Sequence, residues 1–129
     1  MITEDYVSFE TAKLLKEKGF DEFCRAHYDI TNGNLYYEKV EVEASGCEMH
    51  NSVLAPTLQM TMKWLREVHD LHIIVYPWKA DREGRATHWC CQVYKSFYLL
   101  GYEKYTNEAP KSYEEACEAA IKYCLEKLI

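Results

Sequence analysis

The spacing at which apolar residues recur changes several times along this 129-residue chain, and the order of the changes narrows the folds open to it. In the last segment Tyr113, Ala116, Cys117, Ala120, Ile121, Cys124, Leu125 and Leu128 keep the i, i+3, i+4, i+7 spacing of an amphipathic helix. Ser112 with Glu115 forms a capping box at its start, and Glu114, Glu115 and Glu118 suit the positive end of the helix dipole. The same period predicts a helix over 8–18, with Phe9, Ala12 and Leu15 inward, Ser8 as N-cap and Gly19 as the left-handed stop. It predicts another over 56–69, with Pro56 in the first turn and Leu58, Met62 and Leu65 along one stripe.

Between these runs the period falls to two. Residues 23–30 alternate, and so do 35–43, and the Thr31-Asn32-Gly33-Asn34 turn between them carries Asn-Gly, a strong hairpin signal because both residues tolerate positive φ. Residues 72–76 are β-branched and aromatic, and a strand is expected to stop at Pro77, which has no donor for the ladder. Residues 79–86 then read as a hairpin loop and 87–99 as the return strand, with Trp89, Cys91 and Val93 on one face and His88, Cys90, Gln92 and Tyr94 on the other. A further short strand is expected around 102–105. The expectation is an α+β domain of two layers over residues 1–129, in the order α-ββ-α-ββ-α, with a mainly antiparallel sheet packed by three helices.

Charge and cysteine content restrict the function. With 21 Asp and Glu against 15 Lys and Arg the chain has a net charge of -6, which opposes a domain that binds by neutralising phosphates or an anionic membrane. No run approaches the roughly 20 apolar residues of a membrane span, and the acidic start, Met1-Ile2-Thr3-Glu4-Asp5-Tyr6, is unlike a secretory signal. The six Cys then read as reduced thiols in a cytoplasmic protein.

Cys and His fall in close pairs, and Cys24-x2-His27 with Cys47-x2-His50 would supply four zinc ligands. The spacing is not that of a standard finger. Residues three apart on a strand also face opposite ways, so core thiols are the expectation, with no metal and no cofactor. His88 beside Cys90 and Cys91 lacks an orienting third group. A small Cys/His-dependent enzyme or zinc module is therefore the alternative. Around the second hairpin Tyr76, Trp78, Lys79, Arg82, Arg85 and Trp89 combine aromatic and basic groups, but Asp81 and Glu83 share the loop, so nucleic acid is not the expected ligand.

Eleven tyrosines point instead to a protein partner or self-association, because Tyr joins a large apolar body to a polar tip. Tyr36 and Tyr37 are adjacent on a strand, so one ring must turn from the core. The binding candidates are Tyr36, Tyr37, Trp78, Arg82, Arg85 and Tyr94.

Three stretches carry a resemblance: VSFETAKLLKEKGFDE over 7–22, APTLQM over 55–60 with KWLRE over 63–67, and the run from SYEEA at 112 to Leu128-Ile129. Together they resemble a family of small uncharacterised proteins encoded in phages and prophages of gut bacteria of the Bacteroides type. The chain departs from it at Phe23, where the family has Pro, and over 44–54. The resemblance transfers no functional residue. It implies a mobile-element accessory protein acting in the bacterial cytoplasm.

Overall fold

The computed structural model describes residues 2–42, 51–96, 98–100 and 109–129. The elements run α1 (Phe9–Glu17), β1 (Cys24–Asp29), β2 (Leu35–Val42), β3 (Ser52–Leu54), α2 (Leu58–His69), β4 (Leu71–Ala80), β5 (Ala86–Lys95), β6 (Tyr98–Leu99) and α3 (Tyr113–Tyr123), which continues as a π-helical turn, Cys124–Leu128. The class is α+β, as the periodicity implies, with every described strand pair antiparallel. The strands divide into two sheets, ordered β2-β1-β3 and β4-β5-β6. The chain forms two compact units, Met1–Met60 and Thr61–Ile129, the boundary falling within α2.

In the first unit the Ser8 hydroxyl accepts the Thr11 N–H at 3.2 Å and starts α1, while Gly19 at φ +88 ends it and the Phe20 N–H returns to the Leu15 carbonyl. Ala12 and Leu15 are buried, and α1 lies against β3. The first hairpin differs from a two-residue Asn-Gly turn. Asp29 N–H donates to the Asn34 carbonyl at 3.0 Å across a four-residue loop, 30–33, in which Gly33 alone takes positive φ. The Asp29 carboxylate accepts from the Thr31 N–H and hydroxyl and holds the loop open by that extra length.

In the second unit β4 runs through Pro77 to Ala80 instead of stopping there. β4 is an edge strand, where a missing donor is tolerated, and the register slips directly after Pro77. The loop shrinks accordingly to 81–85, with the Asp81 carboxylate accepting the N–H groups of Glu83 and Arg85. The return strand also breaks earlier than its apolar run implies. Ser96 takes φ +54, and the chain doubles back so that Tyr98 and Leu99 pair with Lys95 and Tyr94. The expected strand at 102–105 lies outside the described residues.

Direct partners across a ladder share a face, so Pro77, Val75 and Ile73 lie with Trp89, Cys91 and Val93. Helix α3 packs on that face. The Trp89 and Tyr113 rings meet edge to face at 5.7 Å, and Cys91, Cys117 and Cys124 are buried. The helix begins as its capping box requires, with Ser112 Oγ accepting the Glu115 N–H at 3.0 Å. Glu115 Oε2 in return accepts the Lys111 N–H at 2.9 Å, one residue outside the box.

Candidate functional site

The six binding candidates fall in three places. Tyr36 and Tyr37 sit on β2, the edge of the first sheet among the described residues. Trp78, Arg82 and Arg85 mark the β4–β5 hairpin, whereas Tyr94 lies at the other end of β5, six residues or about 20 Å of strand from His88. Its hydroxyl donates to Gln92 Oε1.

At the second hairpin the Trp78 ring has two close neighbours of its own. Lys79 Nζ lies 4.6 Å from the centre of the Trp78 ring, and His88 meets the same ring edge to face at 6.4 Å. Trp89 pairs with Pro77, so it shares the opposite face from Trp78 and packs on α3. Arg82 and Arg85 are exposed.

β2 is a different kind of surface. Tyr36 pairs with His27 and the rings stack at 5.9 Å, while His27 Nε2 lies 3.0 Å from Glu38 Oε1. Tyr37, on the other face, pairs with Ala26 and meets Tyr6 edge to face at 5.4 Å. Burial, then the charges of Tyr37 and Glu4, push the Tyr6 phenol above its ordinary value, with Arg25 opposing. Tyr36, Tyr37 and Val40 are nonetheless 42%, 63% and 70% exposed. Past Tyr37 the ladder is irregular. Arg25 alone stands opposite residues 38–41 before Cys24 pairs with Val42. Bulges and charged side chains of this kind blunt an edge against indiscriminate strand pairing. β2 thus presents its side chains more than a regular backbone edge.

Acidity is unevenly placed. Residues 1–60 carry 11 Asp and Glu against 5 Lys and Arg, whereas residues 61–129 carry 10 of each, so the whole net charge of -6 belongs to the first unit.

Several of the described metal and thiol candidates have partners of other kinds. Cys24 donates its S–H to the Glu22 carbonyl at 3.4 Å, and His27 is engaged with Glu38. Cys47 and His50 lie outside the described residues. Among the described residues no group of three or more His, Cys, Asp and Glu is placed to hold a metal ion. His88 Nδ1 lies 3.0 Å from the Thr87 hydroxyl. Burial first, and then neighbouring thiols, push Cys91 and Cys124 up to about 12, and burial pushes Cys117 up to about 11. A thiol in that range is protonated at neutral pH and a poor nucleophile.

One cluster has no signature in the sequence. Asp70 takes φ +56 after α2, its Oδ1 lies 2.9 Å from His72 Nε2, and its Oδ2 accepts the Ser96 hydroxyl at 2.5 Å. The hydrogen bond from Ser96, then that from His72, holds the carboxyl below its ordinary value. Ser, His and Asp are together here, but the hydroxyl bonds the carboxylate and not the imidazole, so the hydroxyl–imidazole–carboxylate order of a catalytic triad is not formed. The cluster ties the end of α2 to the turn after β5.

The chain is of α+β class, its described thiols are buried, and exposed aromatic rings lie on both sheets, Tyr36 and Tyr37 on the first and Tyr98 on the second. Comparison with protein-family models, with curated proteins and with solved structures finds no match for this chain. No helix among the described residues is long and apolar enough to cross a membrane.

Proposed function

We propose that the chain is a non-enzymatic interaction protein that docks another protein on β2, in the bacterial cytoplasm and as an accessory of a phage or prophage. The observation that carries this reading is the pair Tyr36 and Tyr37 on the sheet edge, 42% and 63% exposed on opposite faces, with Val40 beyond them. Aromatic residues are the usual anchors of protein interfaces, because a rigid ring buries much area at little entropic cost. Exposed rings at adjacent positions give a partner a grip on both faces of one strand. The protonated thiols and the Asp70 cluster support the non-enzymatic part, since neither presents an activated nucleophile.

The test places a photo-crosslinking amino acid at Val40 and irradiates the protein in host-cell lysate. A discrete crosslinked partner that disappears in the Tyr36→Ala/Tyr37→Ala double variant is the expected result. Crosslinks of unchanged pattern and yield in that variant would refute docking on β2.

A further inference from the structure

We infer that the occupant of this surface is a basic segment of another protein that lays an Arg or Lys side chain over the Tyr37 ring, an assignment that rests on β2 being the docking strand. The first argument is charge. All of the chain's net -6 lies in the unit that carries β2, and exposed Glu38 and Glu41 follow the tyrosines on the strand itself, with one opposing charge, Lys39, between them. A second copy of this chain is disfavoured, because it sets one acidic unit against another. A basic segment reverses the sign of that contact.

The second argument is local. Tyr37 is 63% exposed, and its partner ring Tyr6 lies within the field of Glu4, so a carboxylate accompanies the aromatic pair. A cation over an aromatic face gains from the ring quadrupole, and a nearby carboxylate adds to that attraction. Among the described residues the chain's own cations stand over other rings, Lys13 over Phe9 at 4.5 Å and Lys79 over Trp78 at 4.6 Å. Arg25 is the opposing charge at this patch, since it favours ionised Tyr6. It also stands at the bulge, where the ladder is irregular and an incoming backbone finds no regular edge beyond Leu35–Tyr37. The partner is therefore held by side chains, and the choice of partner follows from their charge.

The experiment titrates the full chain into a fluorescein-labelled peptide of alternating Arg and Val, with an alternating Glu and Val peptide as control, and follows anisotropy. The basic peptide is expected to bind and the acidic one not. Tyr37→Ala is expected to weaken binding about tenfold and Tyr37→Phe less than about twofold, because the ring and not the hydroxyl meets the cation. Far-UV circular dichroism verifies that both variants fold. Binding of the basic peptide that is unchanged in Tyr37→Ala, equal binding of the acidic peptide, or no binding of either overturns the assignment. So does a dimer in sedimentation that Tyr37→Ala dissociates, which would give the surface to a second copy. If the Val40 crosslink persists while the basic peptide fails, the occupant is wrong and the docking strand stands. If both fail, the docking reading falls as well.

Discussion

Raising the pH tests the buried thiols directly. Cys91 on β5, Cys117 on α3 and Cys124 on its π-helical continuation have essentially no exposure, and burial lifts them from an ordinary 9.0 to about 12, about 11 and about 12. The folded state thus keeps these protons to higher pH than the unfolded chain does. Their stabilising contribution is complete below pH 9.0 and is lost as pH climbs from there towards the folded values. At pH 10 an unfolded thiol of ordinary value is ionised about ten to one, a gain to the unfolded state of about 1.4 kcal/mol per thiol and about 4 kcal/mol for three. That is a large part of the roughly 5–15 kcal/mol that holds a typical domain. Trp64, Trp78 and Trp89 all belong to the second unit, so urea unfolding followed by tryptophan fluorescence reads the unit that holds these thiols. Tyrosines and lysines also titrate near pH 10, so the decisive quantity is a difference. Cys117→Ala is expected to cost about 1 kcal/mol at pH 7 through the small cavity left, and then to lose about 1.4 kcal/mol less than the parent between pH 7 and pH 10. Equal losses in the two proteins would refute the reasoning, because Cys117 would then ionise as readily folded as unfolded.

Three further outcomes are expected. Ser112→Ala removes the acceptor of the Glu115 N–H and should lower stability by about 1 kcal/mol, while Ser112→Gly should cost only a few tenths, both read as shifts in the urea midpoint of tryptophan fluorescence. Gly33→Ala sets a Cβ 3.2 Å from Phe9 Cδ2 at φ +71 and should cost about 1–3 kcal/mol, seen in thermal melting by far-UV circular dichroism; an unchanged melt would contradict the loop geometry. Hydrogen bonds hold the Asp70 and Asp29 carboxyls below the ordinary 3.8, so their contribution is present above that pH and lost as pH falls below it. Asp70→Asn should therefore melt with a shallower dependence between pH 5 and about pH 3 than the parent, Asn being tolerant of the left-handed backbone at that position.

The elements were legible where side-chain chemistry announces them. Ser8 and Ser112 cap helices because a hydroxyl before an amphipathic run has one evident use, and Gly19 stops α1 because it alone pays nothing for positive φ. The two breaks in the second sheet announce nothing comparable. Proline removes one donor, but whether that donor is needed depends on Pro77 lying in an edge strand, which is a property of the assembled sheet. Ser96 takes positive φ without being Gly or Asn, and its hydroxyl reaches Asp70, 26 residues away, only because the antiparallel register sets Leu71 against Lys95. A contact of that range is made by tertiary pairing and leaves no local trace.

The candidate surface divides in the same way. Adjacent tyrosines on a strand must face oppositely, so the outward turn of one ring followed from Tyr36 and Tyr37 alone. That both are exposed follows from β2 lying at the edge, which no local pattern encodes. The aromatic group at the second hairpin divides for a related reason. Trp78 and Trp89 are close in space by any hairpin reading, yet Trp89 pairs with Pro77 and so turns to the face opposite Trp78, while Lys79 takes the Trp78 ring. Net charge shows the same dependence on architecture. As a whole-chain figure, -6 argues only against anionic partners, but a unit boundary at Met60 assigns all of it to the unit that carries the exposed Tyr36 and Tyr37. The basic occupant proposed for β2 rests on that assignment, and the step from composition to partner requires knowing where the chain divides.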